Sequence, residues 1–393
     1  MTRQYFKSLS NALKSHDLAE PVLVIDLERL KHNIHVLRET LPRGMAYRIV
    51  AKSLPSIELL EFVIKKMRSH RLMSFNAEMI AQLLKAFPEA DQLLGKPLPA
   101  KRLKSFFNDL PAGLKAKHQR VQWLADTPCR LSDYDDIARA LGVTLRVNLE
   151  LDVGLHRGGF SPGENLSAGL EVILSSGNLT LSGVMGYEPH LTKIPNIAGW
   201  RRRAKTGAWQ ILDNSYRQIE ARFGKPVFDK LVRNTAGSPT FGLYKDTRHS
   251  NELAAGSALV KPSDFDMPIL SKFKAAAFIA TPALKVSRGI QFPAQEFSNG
   301  AIGDMRDGTK VFVHGGYWMA SPIYPAGLSY SDVFGRSSNQ DLLVGGAKQK
   351  ISVDDFVFLR PHQSEAVFLQ FPKIAVYDRG RVVDIWRPLA VSA

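Results

Sequence analysis

Residues 21–67 read PVLVIDLERLKHNIHVLRETLPRGMAYRIVAKSLPSIELLEFVIKKM, and this stretch sets the pattern for most of the chain. Residues 22–27 are a short aliphatic and β-branched run, which predicts a buried strand. Leu30, Ile34 and Leu37 then recur at three- and four-residue spacing, which is typical of an amphipathic helix. The stretch therefore begins with a strand followed by a helix.

The second half of the stretch repeats this order. Residues 46–51 predict a strand, and residues 56–67 predict a helix that follows Pro55. Ser56 is placed to cap this helix, because a serine hydroxyl accepts a hydrogen bond from an N–H group of the first turn. Strand and helix patterns thus alternate from the start of the chain.

The alternation continues to about residue 265. Further strands are predicted over residues 72–75, 92–94, 121–125, 144–151, 179–185 and 230–234, with helices between them over 77–87, up to 107, 132–141, 163–174 and 197–223. About eight strand–helix units in about 245 residues match the count and length of a (β/α)8 barrel. We therefore expect an α/β fold with a (β/α)8 barrel over residues 20–268. A doubly wound open sheet is the alternative.

After residue 268 the helical patterns disappear. Short strands are predicted over residues 273–279, 285–287, 310–314, 355–359, 373–377 and 382–386, separated by clusters of Gly, Pro, Ser and Asn. This composition predicts a C-terminal, mainly β domain over residues 269–393. Residues 1–19 form an N-terminal extension that is expected to pack on it.

The charge balance is strongly basic. The chain has 52 Lys and Arg residues against 37 Asp and Glu residues, a formal net charge of +15. Basic residues attract polyanions, but here they are scattered, and the dense run at 200–205 begins a predicted helix, where a solvated face is the simpler interpretation. We expect no specific nucleic-acid interface, although a nucleic-acid role remains an alternative. A small anionic substrate or a phosphorylated cofactor suits the charge.

The cysteine content and hydropathy point to a cytoplasmic protein. Cys129 is the single cysteine, so an internal disulfide and a multi-cysteine metal site are both excluded. The longest apolar run, residues 275–284, is too short to cross a membrane and contains a proline. We therefore expect no membrane association.

Lys52 is the first candidate for chemistry. It lies at the carboxyl end of the second predicted barrel strand, where barrel enzymes place catalytic groups. A lysine at the end of an apolar strand is partly desolvated, which favours the neutral amine that a Schiff base requires. A solvated lysine at a strand end is the alternative.

Four segments in the same order resemble a known family. They are PVLVIDL (21–27), the surroundings of Lys52, NLELDVGLHRGG (148–159) and VMGYEPH (184–190). They are similar to segments of the fold-type III pyridoxal 5′-phosphate (PLP) enzymes, in particular the D-threonine aldolase and D-serine dehydratase group and its amino acid deaminase/aldolase branch. The resemblance extends from about residue 20 to residue 388. It implies an alanine-racemase-type barrel, a C-terminal β domain and a homodimer.

The resemblance also implies roles for individual residues. Lys52 matches the lysine that binds PLP as a Schiff base. Arg157 matches an arginine that faces the phenolic oxygen of the cofactor and keeps it ionised. Tyr187 and His190, at the end of the seventh predicted strand, match positions that line the cofactor ring.

Two further segments match the phosphate-binding parts of the family. The residues concerned are Asn234, Gly237, Ser238 and Thr240 in the first segment, and Gly256 and Ser257 in the second. The first segment is normally rich in glycine, whereas here Thr235, Ala236 and Pro239 replace expected glycines. Since glycines allow backbone N–H groups to approach a phosphate closely, the replacements predict weaker PLP binding.

The last candidate segment is RPHQSE, residues 360–365. In the relatives, a histidine here and an Asp or Cys two residues later bind a divalent metal such as Zn, Mn or Mg. Ser364 is a poor metal ligand, so His362 is the only member of that pair retained. His362 and Glu365 are expected to act as an acid/base pair, with His362 as a candidate metal ligand.

These features predict a PLP-dependent lyase that acts on small D-β-hydroxy amino acids. An aldolase would break the bond between Cα and Cβ, and a dehydratase would remove the α-proton and expel the β-hydroxyl. Two alternatives stay open. A PLP-dependent amino acid racemase uses the same barrel and lysine, and a non-catalytic PLP-binding protein is the second alternative.

Overall fold

The alternating part of the chain folds into a closed barrel in the computed structural model, which describes residues 1–289, 308–331 and 334–391. β1 (Val22–Asp26) precedes the barrel, whose strands are β2 (Ala46–Val50), β3 (Arg71–Ser74), β4 (Asp91–Leu94), β5 (Val121–Ala125), β6 (Leu145–Leu151), β7 (Leu179–Gly186), β8 (Val232–Thr235) and β9 (Glu252–Ala255). Neighbouring strands are parallel, and β9 pairs with β2 to close the barrel. The predicted barrel is confirmed, and the open sheet is excluded.

Helices precede and connect the strands. They are α1 (Arg3–Lys14), α2 (Leu27–Thr40), α3 (Ile57–Met67), α4 (Ala77–Ala86), α5 (Ala100–Asp109), α6 (Ala112–Lys115), α7 (Pro128–Leu141), α8 (Glu164–Ser175), α9 (His190–Lys193), α10 (Trp200–Phe223), α11 (Lys225–Phe228), α12 (Ser257–Val260) and α13 (Ser364–Val367). Ser56 caps α3, as predicted, by accepting a hydrogen bond from the Leu59 N–H. α7 begins before residue 132, where the pattern predicted it, because Thr127 caps it and Pro128 fits the first turn. Within the described residues, no helix is long and apolar enough to span a membrane.

A nine-stranded sheet forms the rest of the structure. Its further strands are β10 (Ala277–Arg288), β11 (Thr309–His314), β12 (Ala320–Tyr324), β13 (Ser329–Tyr330), β14 (Gln340–Gly345), β15 (Phe356–Pro361), β16 (Ile374–Asp378) and β17 (Arg381–Trp386). The sequence did not predict β12, β13 or β14, which lie in the stretch with many Gly, Pro and Ser residues. β10 joins two predicted strands, because Pro282 interrupts the sequence pattern but is tolerated at the end of the ladder with β15.

The placement of the first predicted barrel strand is wrong. β1 pairs antiparallel with β10 and parallel with β16, so it belongs to the mainly β sheet. All five of its residues are buried, and a strand buried on both faces has the same composition in a barrel and in a sheet. Because β9 completes the barrel instead, Lys52 follows the first barrel strand and Tyr187 the sixth. The division of the chain at residue 268 into two folding units remains a prediction.

The N-terminal helix α1 packs on the mainly β sheet. Its apolar face carries Phe6, Leu9 and Leu13, which are buried in one cluster with Phe278 and Phe358. The rings of Phe6 and Phe358 lie 5.1 Å apart, centre to centre. The chain thus starts with a helix on the sheet and the sheet strand β1, continues through the barrel, and returns to the sheet at β10.

A network of buried charges lies inside the barrel. The Arg48 side chain is fully buried and donates hydrogen bonds to Glu252 at 2.5 Å and to Asp91 at 2.7 Å. It also donates to the carbonyl oxygen of Leu72. One side chain of β2 thereby contacts strands β3, β4 and β9 across the barrel.

Candidate active site

A cavity of about 160 Å³ lies at the carboxyl ends of the barrel strands. Phe265 and Glu365, which come from outside the barrel strands, contribute to its wall. The predicted site residues that line it are Lys52, Arg157, Tyr187, Asn234, Gly237, Ser238, Gly256, Ser257 and Glu365. Barrel enzymes carry their active sites at this end, so the cavity is the candidate active site.

Lys52 lies in the 3-10 turn Ala51–Ser53, directly after β2. Its Nζ atom lies 3.3 Å from Oε1 of Glu365 and 4.7 Å from the centre of the Phe75 ring. The lysine side chain is 39% exposed, so its desolvation is only partial. The arrangement presents a primary amine to the cavity between a carboxylate and an aromatic face.

Arg157 reaches the cavity from the loop after β6. Its guanidinium donates a hydrogen bond to Oε1 of Glu150 at 3.1 Å and lies 5.1 Å from the centre of the Tyr187 ring. Burial raises the pKa of Glu150, and the contact with Arg157 opposes that rise. Asp152 fixes the loop by accepting the N–H groups of Gly154 and His156. A cation is therefore held at the cavity edge.

The two segments predicted to bind phosphate meet at the cavity floor. The Ser238 hydroxyl oxygen accepts hydrogen bonds from the N–H groups of Gly256 and Ala258, at 3.3 and 2.9 Å. Since both its acceptor positions are used, its hydrogen remains available to donate. The hydroxyls of Ser53 and Ser257 bond to each other at 2.9 Å, which leaves one further hydrogen to donate. These donors suit the oxygens of a phosphate group.

Close backbone contacts explain the glycines of this floor. A Cβ atom at Gly237 would lie 2.6 Å from the Tyr187 ring, and one at Gly256 would lie 2.7 Å from the Val50 carbonyl oxygen. Asn234, which also lines the cavity, donates to Glu252 through Nδ2, while its buried Oδ1 has no hydrogen-bond partner. The residues present fit a phosphorylated ligand with an aldehyde near Lys52.

Three predicted site residues do not line the cavity. Thr240 lies behind the floor and donates its hydroxyl hydrogen to Glu188 at 2.7 Å. His190 lies beside Gly154, and its buried Nδ1 has no hydrogen-bond partner. His362 bonds through Nε2 to the Ser321 hydroxyl at 2.7 Å. Their roles in cofactor binding and catalysis remain predictions.

The predicted metal site likewise remains a prediction. Across residues 1–289, 308–331 and 334–391, no group of three or more His, Cys, Asp or Glu side chains is arranged to hold a metal ion. The Ser364 hydroxyl donates to Glu365 at 3.3 Å, and Glu365 turns towards Lys52 instead of His362.

Sequence reasoning missed several residues around the cavity. Phe75 and Gly95 line it and follow strands β3 and β4, so the rule that selected Lys52 would have found them. Glu150 and Glu188 lie inside the motifs of residues 148–159 and 184–190, but the sequence did not predict which residues they contact. Phe265 has no sequence signal, because its contact depends on how the chain leaves the barrel.

The fold is similar to that of several solved enzymes. D-threonine aldolase from Filomicrobium marinum matches with a TM-score of 0.71 and 16% identity, over 94% of this chain and 95% of that one. D-threo-3-hydroxyaspartate dehydratase from Delftia sp. HT23 matches with a TM-score of 0.73 and 14% identity, over 95% and 97% of the two chains. Alanine racemase from Bacillus anthracis matches with a TM-score of 0.68 and 13% identity, over 94% and 98%.

At these identities the similarity shows the fold alone. A search of curated protein sequences finds no match. The family model described as alanine racemase, N-terminal domain, matches residues 25–264. That match covers more than half of the sequence, and the chain therefore belongs to the alanine racemase N-terminal domain family.

Proposed function

We propose that the protein is a PLP-dependent lyase that acts on D-β-hydroxy amino acids. The observation that carries the proposal is the Lys52 amine, which stands in the cavity 3.3 Å from the Glu365 carboxylate. The hydroxyl donors of Ser238 and Ser257 lie on the floor of the same cavity. Such an enzyme requires an amine that bonds an aldehyde, hydrogen-bond donors for a phosphate and a nearby carboxylate.

Each part of the cofactor has a candidate partner in this site. Lys52 would bond the cofactor covalently, Ser238 and Ser257 would donate to its phosphate, and Arg157 would face its phenolic oxygen. The Tyr187 ring would contact the cofactor ring. When bound, PLP supplies an electron sink that stabilises negative charge developing on the amino acid.

Proton transfer falls to Lys52 and Glu365. The carboxylate oxygen Oε1 would exchange a proton with Nζ of Lys52 or with the β-hydroxyl of a substrate bound in the cavity beside it. Glu365 thus takes the acid/base role that the sequence assigned jointly to Glu365 and His362, because Glu365 lines the cavity and His362 does not.

A racemase is the alternative, because it uses the same barrel and lysine. It needs a second base from the partner subunit on the opposite side of the substrate. The chirality of the product from D- and L-alanine distinguishes it from a lyase.

The test is turnover of a small panel of amino acids. Purified protein is incubated with PLP and D-threonine, D-serine or D-alanine, with and without Mn²⁺ or Zn²⁺, and ammonia, aldehyde and chirality are measured. We expect aldehyde or ammonia from the hydroxy amino acids. Racemisation of alanine alone would show a racemase, and PLP binding without turnover would show a binding protein.

Replacing the lysine tests its assignment directly. Lys52→Ala should abolish the visible absorbance of bound PLP and lower turnover by roughly a thousandfold, because no amine remains to bond the cofactor. Lys65→Ala is the matched control, since Lys65 pairs with Glu61 on the exposed face of α3. Retention of the absorbance in Lys52→Ala would mean that another amine binds the aldehyde.

We also propose that the protein is a cytoplasmic homodimer, on the basis of the family resemblance and the single cysteine. Light scattering of the purified protein should give about twice the chain mass of 43.7 kDa. A monomeric mass would contradict the dimer.

A further inference from the structure

A buried carboxylate supports the cavity floor from behind. Glu188 is 1% exposed and follows Tyr187 after β7. Its Oε1 accepts a hydrogen bond from the Thr240 hydroxyl at 2.7 Å, and its Oε2 accepts one from the Ala236 N–H at 3.4 Å. The two contacts hold both ends of residues 236–240, which we call the floor loop.

The floor loop needs this support because of its backbone. Ala236 has a φ of 71°, in the left-handed region that disfavours residues with a Cβ atom. This is one of the positions where the family pattern has a glycine. The residue in this conformation donates its N–H to Glu188, so the carboxylate contacts the strained part of the floor loop directly.

The shape of the floor loop determines where its donors lie. Thr240 accepts the Gly237 N–H at 3.2 Å, while Ser238 accepts the N–H groups of Gly256 and Ala258. Movement of Ala236 or Thr240 would therefore displace Gly237 and Ser238, which line the cavity. Glu188 acts on the cavity through these residues, and does not line it.

Glu188 is surrounded by groups that are neutral at physiological pH. The Thr240 hydroxyl and the Ala236 N–H donate hydrogen bonds to it, and the Tyr244 side chain also acts on it. The other titratable groups that act on it electrostatically are Tyr187 and Tyr216. Burial raises the pKa of Glu188 to about 7, against the effect of the hydrogen bonds from Thr240 and Ala236.

We propose that Glu188 is a positioning residue whose ionised carboxylate holds the floor loop in the conformation that binds the phosphate group of the cofactor. An ionised carboxylate accepts both hydrogen bonds strongly, whereas in a protonated carboxyl one oxygen carries a hydrogen and is a weaker acceptor, so one of the two bonds is weakened. The inference rests on the proposed function, since it names the residue that prepares the site for a phosphorylated ligand.

Two ligands that differ only in the phosphate test this role. The affinities of the protein for pyridoxamine 5′-phosphate and for pyridoxamine are measured by calorimetry, and their ratio gives the contribution of the phosphate. Glu188→Gln should lower that ratio by about tenfold, because the amide cannot accept at both positions. Glu171→Gln, on the outer helix α8, is the matched control and should leave the ratio unchanged.

A second substitution separates positioning from general damage. Adding Ala236→Gly to Glu188→Gln should restore most of the ratio, because glycine adopts a positive φ without the support of the carboxylate. Ala236→Gly alone should change the ratio by less than about twofold. Failure of the double variant to recover would contradict the role through Ala236.

The pH dependence supplies a further readout. As the pH falls from about 8 to about 6, wild-type protein should lose preference for the phosphorylated ligand, because Glu188 becomes protonated in that interval. The phosphate group of the ligand also titrates near pH 6. That titration affects both proteins equally, so the pH profile of Glu188→Gln measures its contribution alone. An identical pH profile in the two proteins would overturn the proposal.

Hydrogen exchange gives a test that requires no ligand. Peptides that cover the floor loop should exchange about tenfold faster in Glu188→Gln than in wild type. If Glu188→Gln changed neither the exchange rate of these peptides nor the affinity ratio, the inference would be overturned. It would also be overturned if the wild-type protein showed no preference for the phosphorylated compound. Absence of turnover with the preference retained would contradict the proposed lyase activity alone.

Discussion

Glu365 is the side chain through which the mainly β part of the molecule reaches the barrel lysine. Its Oε1 lies 3.3 Å from Nζ of Lys52, and the short helix α13 that carries it lies against the turn Ala51–Ser53. The contact is partly exposed, so its contribution to stability is small. Under the proposed function, Glu365 would place an acid/base group beside the amine.

Glu365→Gln should lower kcat by about a hundredfold and change the content of bound PLP little. The amide keeps the size of the side chain but cannot take up or release a proton. The measurement is kcat and KM for the substrate found in the amino acid panel, with PLP content measured in the same samples. Glu61→Gln on α3 is the control, and a kcat equal to wild type would remove Glu365 from the proton transfer.

For individual residues, the sequence predicted the position of a side chain best where the residue directly follows a strand. Lys52 was placed correctly in the cavity because barrel geometry fixes which end of a strand faces it. Thr240 and His190 could not be placed, because the direction of their side chains depends on the turns of their loops. The Thr240 hydroxyl donates to Glu188 behind the cavity, a contact between two distant loops.

Among the elements, β1 is a strand whose existence the sequence predicts but whose pairing partners it does not. Its composition predicted a buried strand correctly, yet nothing local distinguishes pairing with β2 from pairing with β10 and β16. β9 is only four residues long, so its sequence pattern was too short to predict a strand. Long-range pairing decided the positions of both strands, and such pairing is not encoded in hydrophobic periodicity.

α1 is an element whose contribution can be measured in isolation. Leu9 is fully buried between this helix and the sheet, so Leu9→Ala should lower the free energy of unfolding by roughly 2–4 kcal/mol. Lys7→Ala, on the exposed side of α1, is the control. Because α1 packs on the sheet and not on the cavity, PLP binding by folded Leu9→Ala protein should match wild type. Chemical denaturation and cofactor titration give the two values, and a lost cofactor site in folded protein would contradict this separation.

The whole molecule is organised so that one cavity draws residues from distant parts of the chain. Lys52 and Arg157 come from loops of the barrel, and Glu365 lies in α13, which follows β15 of the sheet. The barrel and the sheet were both predicted from the sequence. The family resemblance implied that Lys52 and Glu365 share one site, but hydrophobic periodicity alone does not predict that contact.

Arg48 is a buried side chain that links four strands of the barrel. It is fully buried, and it contacts Glu252 on β9, Asp91 on β4 and the Leu72 carbonyl on β3. Burial by itself raises the pKa of Asp91, but Arg48 and Arg146 outweigh it and hold that pKa below its usual value. Arg48 therefore keeps negative charge stable within the barrel.

Arg48→Met should lower the free energy of unfolding by roughly 3–5 kcal/mol, because it leaves buried carboxylates with fewer partners. Arg68→Met, an exposed position after α3, is the control and should change stability little. Adding Glu252→Gln to Arg48→Met should recover part of the loss, since it removes a buried charge that has lost its Arg48 partner but keeps Arg71. Urea unfolding followed by circular dichroism measures all four proteins. Stability equal to wild type in Arg48→Met would mean that the strand hydrogen bonds hold the barrel closed without the network.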